Sequence, residues 1–282
     1  MFPVQGRPGN GTEDVKDAMD SDEQPALEAL ILDVDGTLAD TERHGHRPAY
    51  NQAFDDLGAD WSWSEAEYGE LLQVEGGYER LRYYLDYYQP GSVPDEDQGD
   101  FIDAAYERKN RYYRERLESG AVPLRPGIRR LIAEARADGL RLAIASSSLR
   151  ANVMALLQHV LAEPAEAVFE AIVTGSDASE KKPSADIYRR VLERLELPAA
   201  ACIAIEDSEN GCRSALRAGI TTIVTTSGYT AHHDFEGAAL VADSLGEPGR
   251  PWHVLAGIHP GTEYLDTNAL RRIHALARLR RA

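Results

Sequence analysis

The fold is decided by the stretch Ala29-Leu30-Ile31-Leu32-Asp33-Val34-Asp35-Gly36-Thr37-Leu38. Its apolar start predicts a short buried strand, and two carboxylates follow where that strand ends. Side chains alternate along an extended chain, so Asp33 and Asp35 would face the same side of it. Gly36 permits a sharp turn after them because it has no side chain. We therefore expect a strand that brings two acids to the edge of a sheet.

Short apolar runs of the same kind recur along the chain and alternate with helical patterns. This alternation predicts an α/β fold, a Rossmann-like doubly wound parallel sheet with right-handed crossovers. Ligands of such a sheet lie at the carboxyl ends of its strands. The predicted strands are 29–32, 142–145, 171–173, 202–205, 222–224 and 240–242, and the predicted helices between them are 127–138, 152–161, 184–195 and 210–218.

One long gap interrupts the alternation. Residues 40–121 contain no buried-strand run, but they hold helical stretches at 78–88 and 101–117 in which aromatic and charged residues mix. We interpret this segment as an inserted helical cap domain. The catalytic core then consists of residues 26–39 and 122–247.

The two ends of the chain differ from the core. Residues 1–25 are polar and acidic, which predicts a disordered leader. Residues 248–282 form a C-terminal extension that begins loop-like and ends in a basic amphipathic helix at 267–281. Leu270, Ile273 and Ala277 share one face of that helix, which would pack on its own acidic protein or, alternatively, on a protein partner.

The charge and the cysteine content of the chain limit the classes of partner that we expect. The 282 residues carry a formal charge of −17 with a pI near 4.9, which argues against a nucleic-acid partner and against an anionic membrane surface. Solubility explains the charge itself equally well. The two cysteines have no spacing that suggests a disulfide framework or a metal site, so we expect a cytoplasmic protein. Protein partners stay unknown, and a small molecule is the expected ligand.

The chemistry of the first motif depends on two close carboxylates. One can attack as a nucleophile while the other donates and then removes a proton, provided that a cation relieves their repulsion. Taken alone, the motif also describes an Asp-Gly turn that begins a helix.

Three further clusters follow predicted strands. Ser146, Ser147 and Ser148 offer hydroxyl and N–H groups to a phosphoryl oxygen, although serines also begin helices. Lysine is rare here, with only four among 30 basic residues, so Lys182 suggests a point charge for a phosphoryl group, whereas Lys181 is expected to be a solvated surface lysine. Glu206 and Asp207 would complete an oxygen-rich Mg²⁺ site or, alternatively, begin the next helix.

With these four clusters in order, residues 26–245 resemble the haloacid dehalogenase-like hydrolases. The resemblance implies that Asp33 is a nucleophile that forms an aspartyl-phosphate, and that Asp35 is a general acid and then a base. Ser146, Ser147 and Lys182 would hold the phosphoryl group. The presence of Asp35 disfavours carbon–halogen cleavage and implies a phosphoric monoester hydrolase. The implied ligands of the cofactor Mg²⁺ are Asp33, the backbone carbonyl of Asp35 and Asp207, with Glu206 either a further ligand or an orienting neighbour.

Within this superfamily the chain is most similar to the CbbY proteins, which dephosphorylate xylulose-1,5-bisphosphate, and to the β-phosphoglucomutases. The similarity therefore implies a small phosphorylated sugar as substrate, with a phosphatase, a phosphomutase or, least expected, a non-catalytic binding module as alternatives. Tyr78 stands where a cap lysine is expected, and Arg47, Arg80 or Arg82 would then supply the charge. The implied substrate residues of the cap are Glu42, His46, Arg47, Tyr68, Gly76, Gly77 and Arg80.

Overall fold

A computed structural model describes residues 25–280 of the chain. The predicted acidic leader, residues 1–25, lies outside the described residues except for Pro25. Within the described range, no helix is long and apolar enough to cross a membrane.

A sheet of seven strands in the order β3-β2-β1-β4-β5-β6-β7 forms the centre of the fold. Neighbouring strands are parallel from β3 to β6, and only β7 runs antiparallel to its neighbour. The strands are β1 (Ala29–Leu32), β2 (Arg141–Ala145), β3 (Ala171–Val173), β4 (Cys202–Glu206), β5 (Thr221–Thr225), β6 (Leu240–Ala242) and β7 (Val254–Gly257).

Both faces of the central strand are buried, which explains why it reads as an uninterrupted apolar run. Leu30 and Leu32 point into one hydrophobic cluster, whereas Ala29 and Ile31 point into another on the opposite face. Helices cover both faces, so the predicted Rossmann-like α/β fold is confirmed. The helices of this layer are α5 (Ile128–Ala137), α6 (Arg150–Val160), α7 (Ala165–Val168), α8 (Asp186–Leu195), α9 (Glu209–Arg217) and α10 (Thr267–Leu279).

The segment between β1 and α5 is helical and has a hydrophobic cluster of its own. Trp63, Tyr50 and Phe54 are fully buried there, and their rings pack on one another. The inserted helical cap that the sequence predicts is therefore present. Its helices are α1 (Arg47–Asp56), which continues a π-helical turn at Glu42–His46, then α2 (Glu65–Leu71), α3 (Gly77–Tyr87) and α4 (Gln98–Glu118).

The C-terminal segment adds an edge strand that the sequence did not reveal. The predicted loop-like start of this segment is wrong in part, because β7 pairs with β6. Its residues are mostly exposed, so no buried apolar run marks it. The final helix then buries Leu270, Ile273 and Ala277 against the core.

Candidate active site

The carboxyl ends of β1, β2 and β4 place the predicted motifs side by side. Asp33 follows β1, the three serines follow β2, and Glu206 ends β4 with Asp207 next to it. A cavity of about 560 Å³ opens above this edge and is closed on its other side by the helical insert. Strand order therefore brings together residues that are more than 170 positions apart in the sequence, such as Asp33 and Asp207.

Lys182 connects two of the acids. Its ammonium donates to Asp33 Oδ1 at 2.7 Å, to Glu206 Oε1 at 2.6 Å and to the Ala145 carbonyl at 3.0 Å. All three charged side chains are buried. Tyr188 donates to the same Glu206 oxygen at 2.5 Å. Lys182 thus lies where the sequence places a cation beside the first acid, and Tyr188 is a partner that sequence reasoning missed.

Burial dominates the proton affinities of these acids. It raises the pKa of Asp33 in spite of the opposing charge of Lys182. The same cause raises the pKa of Glu206 to about 7 and raises the pKa of Asp207 well above its ordinary value. Three carboxylates with one lysine between them leave a local excess of negative charge, so this edge of the sheet favours an additional cation.

The acids also fit a hard metal ion. Oxygen atoms of Asp33, Glu206 and Asp207 lie within 4.8 Å of one another, and Glu206 Oε2 is buried without a partner among the described residues. A set of carboxylate oxygens is what Mg²⁺ prefers. Two glycines make the cluster possible. A Cβ at Gly36 would lie 2.2 Å from Asp207 Oδ2, and one at Gly211 would lie 1.8 Å from Glu206 Oε2.

Asp35 occupies a different environment from Asp33. It accepts hydrogen bonds from Thr41 at 2.7 Å and Ser148 at 2.5 Å, and His46 Nε2 lies 3.2 Å from its Oδ1. Burial alone would raise the pKa of Asp35, but the contacts with His46, Ser148 and Thr41 outweigh it and hold that pKa well below its ordinary value. His46 in turn stacks on Tyr113 at 4.0 Å between ring centroids. The two acids therefore have separate partners, as a nucleophile and a proton carrier require.

The three serines divide their contacts. Ser146 is fully buried, and its Oγ accepts from the Ser148 N–H at 3.1 Å. Ser147 lines the cavity, and its buried Oγ has no partner among the described residues. Ser148 also lines the cavity but donates to Asp35. Of the three serines, Ser147 is therefore the one that lines the cavity with a hydroxyl that has no partner among the described residues.

Most of the predicted cap residues lie at the cavity. Arg80 donates to the Leu71 carbonyl at 3.0 Å, to the Val74 carbonyl at 3.2 Å and to Tyr68 Oη at 3.3 Å. Tyr68 donates to Glu42 at 2.5 Å and is buried behind the lining. The predicted cap residues that line the cavity are Glu42, His46, Gly76, Gly77 and Arg80.

Two of the arginines considered as replacement cations point elsewhere. Arg47 donates to the Trp63 carbonyl at 3.3 Å, pairs with Glu65 at 3.6 Å and is not part of the lining. Arg82 is exposed, and its guanidinium carbon lies over the Tyr78 ring at 5.9 Å from the ring centroid. Of the three, only Arg80 reaches the cavity.

Contacts between insert and core hold the cavity closed. Lys181 donates to Glu79 of α3 at 2.5 Å, and Asn210 donates to Glu75 at 2.9 Å. Lys181 is exposed, as expected of a surface lysine, with a side chain that is 43% exposed, and it also forms an ion pair with the insert that the sequence did not reveal.

The comparisons with known proteins agree with this geometry. The sequence model of the haloacid dehalogenase-like hydrolases matches residues 27–219. The CbbY protein of Cupriavidus necator is 47% identical over 250 residues, which cover 88% of this chain and 97% of that protein.

Solved structures give the same result. CbbY from Rhodobacter sphaeroides in complex with phosphate is 42% identical, with a TM-score of 0.70, and a mutant of it in complex with xylulose-1,5-bisphosphate is 41% identical, with a TM-score of 0.71. Each comparison covers 77% of this chain and 94% of the other. The chain therefore belongs to the haloacid dehalogenase-like hydrolases and is a phosphatase of their CbbY-like group.

Proposed function

We propose that this phosphatase hydrolyses small phosphorylated sugars with the help of Mg²⁺ and through an aspartyl-phosphate on Asp33. The observation that supports this most directly is the separation of the two acids, one held by Lys182 and the other by His46, Thr41 and Ser148. A single buried edge of the sheet thus offers a nucleophile and an independent proton carrier.

In the first step a carboxylate oxygen of Asp33 attacks the phosphorus atom. The new bond joins Asp33 to the phosphoryl group while the bond from phosphorus to the sugar oxygen breaks, and Asp35 gives its proton to that oxygen. The phosphate dianion brings negative charge close to Asp35, which favours its protonated form before this step. Lys182 offsets the charge on Asp33 and on the phosphoryl oxygens.

In the second step water attacks the same phosphorus atom. Asp35, now ionised, removes the proton of this water, and the bond between Asp33 and phosphorus breaks to release inorganic phosphate. The low pKa of Asp35 suits the ionised state that this step needs. The free hydroxyl of Ser147 and the backbone N–H groups around it would bind phosphoryl oxygens, with Ser146 as the buried end of the same turn.

Mg²⁺ would be held by Asp33, Asp207 and the backbone carbonyl of Asp35, and it would supply positive charge against the phosphoryl oxygens. Glu206 contributes in another way as well. Its Oε1 is already bonded to Lys182 and Tyr188, which favours an orienting role for that oxygen, whereas its Oε2 is available as a ligand.

A sugar phosphate as substrate is supported by the relatives and by the cavity. The mutant CbbY structure contains xylulose-1,5-bisphosphate, and we propose a substrate of that class here. A cavity of about 560 Å³ is of the size that small-molecule sites have. A phosphomutase would use the same side chains, and it differs in returning the phosphoryl group to the sugar.

The test is a panel of pentose and hexose phosphates, with xylulose-1,5-bisphosphate included, assayed for phosphate release with Mg²⁺ and with a chelator. We expect release that requires Mg²⁺ and that falls at least about 1,000-fold in the Asp33→Asn variant. Asp103→Asn, which removes an exposed acid of α4, is the matched control and should keep full activity. Undiminished turnover by Asp33→Asn would contradict the mechanism, and isomer formed without phosphate release would indicate the mutase.

A further inference from the structure

Lys109 is a buried cation of the insert that lines the active-site cavity. It belongs to α4 and is 5% exposed. Its ammonium has one hydrogen-bond acceptor, Asn110 Oδ1 at 3.4 Å, and within residues 25–280 no carboxylate forms an ion pair with it. Three aromatic rings surround it, those of Tyr50, Tyr106 and Tyr113, at 5.0, 5.6 and 5.7 Å from their centroids.

The other cations that line the cavity are better satisfied. Lys182 pairs with two carboxylates, and Lys181 pairs with Glu79. Arg80 has three neutral acceptors at 3.0 to 3.3 Å. In the described part of the chain, Lys109 is thus the cavity cation with the weakest set of partners.

The position of Lys109 relates it to the Gly76-Gly77-Tyr78 turn. Tyr50, which faces the ammonium, donates to the Gly77 carbonyl at 3.1 Å. Tyr106, which also faces it, meets Tyr78 edge-on at 6.1 Å. Lys109 therefore lies beside the turn in which the sequence has a tyrosine instead of the expected lysine.

We propose that Lys109 binds the second phosphate of a sugar bisphosphate, the one that is not transferred, and so selects bisphosphates over monophosphates. This inference rests on the proposed function. The reactive phosphate lies at Asp33 and Lys182 on the core, whereas Lys109 faces the same cavity from the insert. A substrate with an anion at each end would contact both.

Electrostatics supports this assignment. Burial lowers the pKa of Lys109 to about 8, so the free protein holds the charged ammonium at a cost. Glu42 and Asp35 attract the ammonium from a distance without forming an ion pair with it, and an anion bound beside it in the cavity offsets that cost further. A purely structural role, in which the ammonium only packs on the three rings, is the competing explanation.

The test compares xylulose-1,5-bisphosphate with xylulose 1-phosphate and xylulose 5-phosphate in steady-state hydrolysis. For Lys109→Met we expect KM for the bisphosphate to rise about 30-fold or more, because truncating one partner of a buried charge pair has effects of that size. Values for the monophosphates should stay within about 3-fold, and Lys109→Arg should recover part of the bisphosphate affinity. Arg82→Met, which removes an exposed cation of the insert outside the cavity, is the matched control and should change neither substrate.

Two results would overturn the inference. One is a wild-type enzyme that shows no preference for the bisphosphate, and the other is a Lys109→Met variant that loses all three substrates equally, as a structural role predicts. If Lys109→Met does not fold, Lys109→Gln replaces it.

Failure of the proposed function gives a different pattern, namely no hydrolysis of any sugar phosphate by the wild type. In that case calorimetric binding of the same three compounds to Asp33→Asn, with and without Lys109→Met, still decides the role of Lys109. Weaker binding of the bisphosphate alone supports it, and equal binding in both proteins overturns it.

Discussion

The two sides of the active-site cavity satisfy their charges in opposite ways. On the core side, which we call the floor, Asp33, Lys182 and Glu206 form a buried ion network with distances of 2.6 to 2.7 Å. On the insert side, the roof, the buried cations Arg80 and Lys109 contact carbonyls, an amide and aromatic rings. The floor pairs its lysine with two carboxylates, whereas the two buried cations of the roof form no ion pair within residues 25–280.

We infer from this difference that the floor serves the reaction and that the roof serves the selection of the substrate. A reaction needs groups that are held in place before the substrate arrives. A buried cation without an ion-pair partner, in contrast, is stabilised when an anion binds beside it. We therefore expect substitutions in the floor to damage both stability and turnover, and substitutions in the roof to change which substrate is preferred.

The strongest test of the floor is Lys182→Met. It leaves Asp33 and Glu206 buried without their cation, so we expect the free energy of unfolding to fall by about 3 kcal/mol or more. We also expect kcat/KM to fall by at least about 1,000-fold, because the phosphoryl group loses its cation. Urea unfolding and phosphate release measure the two effects.

The neighbouring lysine is the control. Lys181→Met removes an ion pair whose side chains are 43% and 52% exposed, so its effect on the free energy of unfolding should stay below about 1 kcal/mol. Equal stability of the two variants would show that the buried network contributes no more than a surface pair.

A smaller effect is expected from Gly211→Ala, in α9. Alanine normally stabilises a helix relative to glycine by about 0.5 to 1 kcal/mol. Here the new Cβ would lie 1.8 Å from Glu206 Oε2, so Glu206 must move, and we expect destabilisation by about 1 to 3 kcal/mol together with reduced turnover. Gly99→Ala, in α4, has nothing near its Cβ and should instead be neutral or stabilising. Thermal unfolding measures both variants: we expect a lower Tm than that of the wild type for Gly211→Ala and an equal or higher Tm for Gly99→Ala. An equal or higher Tm for Gly211→Ala would contradict the prediction.

The smallest effect concerns the roof and depends on pH. Burial gives Lys109 a pKa of about 8 in the folded protein against 10.5 for an ordinary lysine. Between these values mainly the unfolded chain holds the proton, so the free energy of unfolding of the wild type should rise with pH relative to Lys109→Met. We expect a relative gain of about 1 to 2 kcal/mol from pH 8 to pH 10, measured by urea unfolding.

The neighbours of Lys109 do not obscure this titration. Glu42, Asp35 and Arg80 are the charged groups that act on the Lys109 ammonium, and all three are present both in the wild type and in Lys109→Met. Burial raises the pKa of each of the three facing tyrosines, Tyr50, Tyr106 and Tyr113. A flat difference between pH 8 and pH 10 would mean that the ammonium is as well solvated as a surface lysine. Saturating xylulose-1,5-bisphosphate should reduce the rise, because an anion favours the charged form.

The floor was more accessible to sequence reasoning than the roof, for a physical reason. Each floor residue ends or follows a buried parallel strand, and such strands are visible as short apolar runs. Their carboxyl ends meet at one edge, so Asp33, Lys182 and Asp207 could be assigned to one site from the sequence.

The partners of Asp35 could not be found in this way. Thr41 and His46 reach it only because the π-helical turn after β1 folds back over the strand end, which no local pattern announces. Strand β7 was not predicted for a different reason. Its pairing with β6 depends on backbone hydrogen bonds and leaves its side chains mostly exposed, so no apolar run marks it in the sequence.

The sequence does indicate that Lys109 is unusual, through its position in the helical pattern of α4. It follows Ala105 by four positions and precedes Tyr113 by four, so the helical period places it on the buried stripe of α4. A lysine on an apolar stripe is rare unless it has a partner. The sequence pattern thus contained the anomaly, but only the cavity shows what the ammonium faces.

The adjacent pair Lys181 and Lys182 has a consequence for the catalytic cycle. Lys182 lies at the active-site cavity, while Lys181 connects the core to the insert through an exposed ion pair with Glu79. An exposed ion pair of that kind contributes little free energy, so it adds only a small cost to any separation of the insert from the core. Because the two lysines are consecutive, a shift of the backbone at Lys181 would also displace the Lys182 ammonium from Asp33 and Glu206. The contact between insert and core and the buried ion network thus depend on one short stretch of backbone.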